Sequence, residues 1–147
     1  MRHSIRRLLT AALPAAALVL ASCSGLPLAE RQAARLQRYE AFAGKPVREL
    51  RRYTGYKRWS PLSADKLLVW TNLNTPYLVT VYHPCTNLLF AHGIGITSTV
   101  DIVQARFDFV TADGWRCMIS TIQPIDYQRM QQDERKAHAA RAGSPQR

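Results

Sequence analysis

The sequence predicts a mainly-β fold: a small antiparallel barrel or curled sheet of about six strands, with an N-terminal linker helix and one disulfide as a staple. Three observations predict it. Runs rich in β-branched and aromatic residues are short and separated by turn signals. Two of them, Val103–Phe109 and Trp115–Thr121, alternate apolar and polar residues. An even pair of cysteines, Cys85 and Cys117, remains once Cys23 is set aside.

Cys23 is set aside because of what precedes it. The chain begins Met-Arg-His-Ser-Ile-Arg-Arg and continues in an apolar run from Leu8 to Ala21, broken by Thr10 and Pro14. A basic start, a short apolar stretch and small residues before a cleavage point predict a secretory signal over residues 1–22. The run is shorter than the ~20 apolar residues of a transmembrane helix. Leu20-Ala21-Ser22-Cys23 resembles the lipobox of bacterial lipoproteins. The resemblance implies a thioether-linked diacylglycerol on Cys23, then cleavage and acylation of the new amino terminus. Each buried methylene contributes ~0.8 kcal/mol, and more than one chain gives stable anchoring. Ser24, where an aspartate would suggest inner-membrane retention, resembles the outer-membrane sorting pattern. The expected location is the cell envelope, lipid-anchored on the periplasmic face of the outer membrane.

Residues 23–147 suffice for one small domain and not two. The chain holds 20 basic and 10 acidic residues, and three of the basic ones lie in the signal. What remains is net +7, unevenly spread. Arg31 to Arg58 carries nine basic residues against Glu40 and Glu49. Trp59 to Asp126 has three basic against five acidic, and the rest of the chain returns to +3. Basic surface often means nucleic acid, but an exported chain does not meet it. Near a lipid anchor such a segment faces anionic headgroups, at ~1 kcal/mol per residue. A solvated helix face accounts for the same charge equally well.

The elements follow in order. Leu26 to Ala43 reads as a helix, with Pro27 in the first turn, a stripe of Ala29, Ala33, Leu36 and Ala43 widened by Tyr39 and Phe42, and Gly44 and Pro46 as the stop. With Cys23 it forms an anchor and basic linker over residues 23–46. The β-domain spans 47–126. Short strands are expected over Glu49–Tyr53 and Tyr56–Trp59, then a hairpin of Leu67–Thr71 and Tyr77–His83 around the turn-rich Asn72–Pro76. Cys85–His92 reads as irregular or helical with Leu88, Leu89 and Phe90 turned inward, and Ile96–Val100 as a strand. A three-residue loop, Ala112-Asp113-Gly114, would pair Phe109 with Cys117 and Phe107 with Ile119, all inward. That loop also points Cys117 toward the core, within reach of Cys85. Residues 127–147 read as a charged tail that begins as a helix and ends disordered over Gly143–Arg147.

The residue string resembles a family of small exported proteins of Gram-negative bacteria, a domain of unknown function. It runs from Trp59-Ser-Pro-Leu62 through Leu68-Val-Trp-Thr71, Tyr77-Leu78, Cys85, Leu88, Ala91, Ile94 and Thr97-Ser98. It continues through Phe107-Asp108, Arg116-Cys117, Ile119 and Ile122-Gln-Pro-Ile-Asp126. The resemblance supports a Cys85–Cys117 bridge and implies no activity and no catalytic residue.

Three groups of residues bear on chemistry: the two cysteines with His83 and His92, Gly93-Ile-Gly95, and Asp108. Cys85 or Cys117 with His83 or His92 supplies the types for a thiol enzyme, but an oxidising compartment favours a disulfide, which would close a loop of roughly thirty residues and contribute on the order of 3 kcal/mol. The same four residues lack the short spacings of a zinc site. Gly93-Ile-Gly95 is too short for a phosphate loop. Asp108, alternating with apolar residues, is expected to face solvent or a strand edge. The candidate binding surface is aromatic and basic: Trp59, Trp70, Tyr77, Tyr53 and Tyr56, with Arg51, Arg52, Lys57 and Arg58. Aromatic pairs that merely stabilise a sheet explain the same residues.

The expectation is a non-enzymatic binding or structural module with no cofactor and no metal, tethered through lipidated Cys23. Its partner would be an envelope protein, an anionic lipid or a cell-wall component. The alternative is an envelope hydrolase using His92 with an unrecognised acid.

Overall fold

The computed structural model describes residues 27–51, 55–83, 85 and 87–143. Cys23 with the signal, Arg52, Tyr53 and the last four residues of the expected tail lie outside the described residues. The architecture is mainly β: a six-strand antiparallel half-barrel sheet, a short two-strand ribbon, two helices and one disulfide.

Helix α1 spans Leu28–Ala41, with Pro27 at its cap, Glu30 in the first turn and Arg38 in the last. The acid and the base complement the helix dipole at the ends they occupy. Past the helix, the chain runs antiparallel along a later strand: Gly44 N–H donates to Pro124 O at 2.8 Å and Val47 N–H to Ile122 O at 2.8 Å. A Cβ on Gly44 would sit 3.3 Å from Pro124, so the close approach favours glycine there.

The strands are β1 (Glu49–Arg51), β2 (Arg58–Pro61), β3 (Lys66–Asn72), β4 (Thr75–Val81), β5 (Ile94–Ile96), β6 (Ile102–Gln104), β7 (Phe109–Ala112) and β8 (Trp115–Pro124). The large sheet has the order β2-β3-β4-β8-β7-β5, and β1 pairs with β6 apart from it. The expected hairpin forms as β3–β4, with β3 one residue longer at each end and β4 two residues earlier than Tyr77–His83, because the turn contracts to Leu73-Asn74. Asn72 Oδ1 holds that turn by accepting the Asn74 N–H at 2.9 Å.

Strand β3 is covered on both faces, so it reads as a continuous apolar run, Leu67–Trp70. Leu67 and Val69 of β3 join Val79, Ile119 and Ile122 in the larger cluster, roofed by Leu50 and Val103 from the ribbon and by Leu88. The alternate residues Leu68, Trp70 and Leu78 form a second cluster with Leu62 and Ile125. Leu36, Tyr39, Phe42 and Ala43 pack on it. Helix α1 therefore docks on the sheet with the stripe that periodicity singles out.

The 103–121 region departs from expectation. The register pairs Val110 with Cys117 and Ala112 with Trp115, so the loop is the two-residue Asp113-Gly114. Both residues have positive φ, 45° and 86°, as a type I′ turn requires. The reason lies upstream. Val103–Phe109 is not one strand: β6 stops at Gln104, and Arg106 takes a left-handed φ of 66°. That excursion shifts the alternation, so Asp108, Val110 and Ala112 face inward while Phe107 is 64% exposed.

Three smaller expectations change. The strand near Ile96 is β5, two residues earlier, and Val100 lies in a turn. Leu88 of the 3₁₀ turn Leu88–Phe90 is buried, whereas Phe90 is exposed. The expected tail is helical through Ala142 as α2 (Tyr127–Ala142). Asp126 caps it by accepting the Arg129 N–H at 3.1 Å, and Met130 is its buried residue.

Candidate functional site

Cys85 and Cys117 form the disulfide, with both residues buried in the larger cluster and Cα atoms 5.8 Å apart. It clips the segment before the 3₁₀ turn to the start of β8. Both sulfurs are consumed, so neither serves as a thiol nucleophile or a metal ligand in this state.

Two open grooves lie beside the ribbon. On one side of β1 a groove of about 720 Å³ runs between residues 46–49, the 104–106 excursion and Ser120-Thr121 of β8. On the other side a groove of about 500 Å³ is bounded by Arg51, Thr71, Asn72, Thr75 and Tyr77. Glu49 borders both. The first groove opens where the ribbon diverges from β8: Arg106 N–H donates to Ile119 O at 2.7 Å and Val47 N–H to Ile122 O, leaving residues 120 and 121 between those two ties.

Asp108 shapes that groove from inside. It is 4% exposed, contrary to the expectation of a solvent-facing or strand-edge position, and each of its carboxylate oxygens accepts a hydrogen bond. Oδ1 accepts from Thr97 Oγ1 at 2.7 Å and Oδ2 from the Gln104 N–H at 2.8 Å. Thr97 Oγ1 in turn accepts the Phe109 N–H at 2.8 Å, and the Asp108 N–H donates to Gln104 O at 3.0 Å. The 104–108 excursion is thus closed by both the backbone and the side chain of Asp108, which fixes where Arg106 emerges.

The predicted surface residues do not form one patch. Trp70 is 2% exposed, flanked by the edge of Tyr39 with ring centroids 6.5 Å apart and by the Arg58 guanidinium 4.1 Å from its ring centroid. Tyr77 lies on the opposite face, opposite Val69, and lines the second groove with Arg51. Tyr56 is half-buried, its hydroxyl donating to Ile94 O at 2.5 Å. Trp59 is half-buried in β2, and Lys57 is exposed, its backbone N–H donating to Trp70 O.

Much of the basic charge has internal work. Arg35 donates to Ser60 at 2.8 Å, Arg38 pairs with Glu134 of α2, and Arg51 lies 3.5 Å from Glu49. Arg116 stacks on Phe109 and Arg129 on Phe42, at 4.5 and 5.9 Å. Arg48 and Arg106 differ: they border the larger groove, and no described residue bonds to their guanidinium groups. Sequence reasoning missed this pair because they are 58 positions apart and meet only through β1–β6 pairing. His92, the base of the enzymatic alternative, is 96% exposed and 3.6 Å from Asp113 at the β7–β8 turn.

These features define a disulfide-stapled β half-barrel with a filled interior and grooves along a two-strand ribbon. The chain belongs to DUF6491, a family of unknown function whose model matches residues 5–141. No curated protein and no solved structure matches it.

Proposed function

We propose that this chain is an exported, lipid-anchored protein of the bacterial cell envelope that works as a non-enzymatic binding module, with the grooves beside β1 as its contact surface. The observation that carries the reading is the filled half-barrel. Leu67, Val69, Val110, Ile119 and Ile122 are each 0% exposed and occupy the space where an enclosed ligand would sit. A second molecule meets this domain at the ribbon's flanks, where backbone and charged groups converge on open grooves.

The address rests on the signal over residues 1–22 and the lipobox-like Leu20–Cys23. A core disulfide accords with an oxidising compartment. Lipid on Cys23 would leave four residues before α1, keeping the domain close to the membrane surface.

The test is cross-linking in intact cells, with photoreactive residues at Gln104 and Thr121 in the groove and at Leu73 on the exposed hairpin turn. A discrete adduct from the groove positions and none from Leu73 is the expected result. Equal, diffuse labelling from all three positions would count against the groove as a contact surface.

A further inference from the structure

We propose that the groove between the ribbon and β8 binds a phosphate ester, held by the guanidinium groups of Arg48 and Arg106. This rests on the binding-module reading and names its ligand class. Three observations carry it.

The first is charge without a partner. Arg38 and Arg51 meet carboxylates, and Arg58, Arg116 and Arg129 lie over aromatic rings. Arg48 and Arg106 border the groove with no such partner among the described residues. Glu49 is the acid at its edge, and Arg51 already engages it.

The second is the backbone at Arg106. A left-handed φ of 66° is unfavourable for a residue with a Cβ, and glycine would occupy it without strain. The sequence nevertheless places an arginine there, and Asp108 closes the turn around it. The Ala105 N–H donates to Arg48 O at 2.9 Å, so the backbones carrying the two guanidinium groups are tied together.

The third is the match between donors and ligand. One guanidinium fork saturates a carboxylate, whereas a phosphate offers enough oxygens and charge for two. Gln104 and Thr121 add an amide and a hydroxyl at the same groove. The volume, about 720 Å³, fits a group of headgroup size.

The test uses the chain from residue 23 onward with Cys23→Ser, so that neither the apolar run Leu8–Ala21 nor lipid on residue 23 drives membrane association. Glycerol phosphate is titrated while backbone amide resonances are followed, and vesicles of phosphatidylglycerol are tested by cosedimentation. Shifts confined to residues 104–106 and 120–121 are expected. Arg48→Ala and Arg106→Gly should each weaken binding by about tenfold, and Arg135→Ala, on the exposed face of α2, by less than about twofold. Arg106→Gly suits the left-handed backbone, so its loss of binding reports the guanidinium alone. Vesicle binding far tighter than glycerol phosphate binding assigns the ester to a lipid headgroup; glycerol phosphate binding without vesicle binding assigns it to a soluble compound. No groove shift and no vesicle binding would overturn the proposal, as would equal weakening by Arg135→Ala. If both probes fail while Gln104 still cross-links to a discrete partner in cells, the binding module stands and the phosphate ligand falls.

Discussion

Asp108 and Gln104 hold each other twice: the Asp108 N–H donates to the Gln104 carbonyl at 3.0 Å, and the Gln104 N–H returns to Asp108 Oδ2 at 2.8 Å. The pair pinches off residues 105–107, ends β6 and turns Arg106 toward the groove. Replacing Asp108 by alanine leaves the Gln104 N–H and the Thr97 hydroxyl without that acceptor. Bonds to a charged group contribute about 1.5–3 kcal/mol each, so Asp108→Ala should cost about 3 kcal/mol or more. Urea denaturation measures it; a loss below about 1 kcal/mol would show that the carboxylate does not hold the excursion.

Arg106→Gly should have the opposite sign on stability. It removes the Cβ from a left-handed position, gaining up to about 1 kcal/mol against glycine's greater freedom when unfolded. A midpoint unchanged or raised in the same urea series is expected. A clear fall would mean that the Arg106 side chain supports the fold.

The disulfide spans a sequence separation of 32. Loop-closure entropy for that length is worth about 3–4 kcal/mol. The double variant Cys85→Ala, Cys117→Ala should lose that amount, and the wild-type chain should lose a similar amount on full reduction. Stability that ignores reductant would contradict the bridge.

Trp70 has a buried indole N–H with no hydrogen-bond partner among the described residues. Trp70→Phe removes the unsatisfied donor along with some volume, so the two effects oppose one another, and a cost near 1 kcal/mol is expected. Trp70→Ala opens a cavity under Tyr39 and Arg58 and should cost about 3–5 kcal/mol. Similar costs for both would mean that the indole N–H is satisfied in solution.

Helix α1 packs on the cluster of Leu68, Trp70 and Leu78, so it belongs to the folded unit. Tyr39→Ala should lower stability by about 2 kcal/mol and speed amide exchange across α1 and β3 together. Exchange that quickens in α1 alone would make the helix an independent linker.

What the sequence made legible were features carried by one continuous stretch. The β3–β4 hairpin was readable because two apolar runs flank a turn, and α1 because Leu36, Tyr39 and Phe42 fall on one face. Alternation carried through Arg106 misplaces the β7–β8 turn, because no pattern of hydrophobicity reveals that residue's positive φ. Asp108 looked exposed because its partners, Thr97 and Gln104, come from separate segments. The groove was invisible for the same reason: Glu49 pairs with Gln104 across most of the domain. The Asp126 cap of α2, by contrast, was a local signal within reach of sequence reasoning.

Every functional reading of the groove depends on where the chain resides, so anchorage is the central claim. The most direct test is the intact mass of the protein extracted from membranes of the cells that make it. The expected result is a chain starting at Cys23 with a diacylglyceryl group and a further acyl chain. A water-soluble chain beginning at another residue, or one with an unmodified cysteine, would contradict the account.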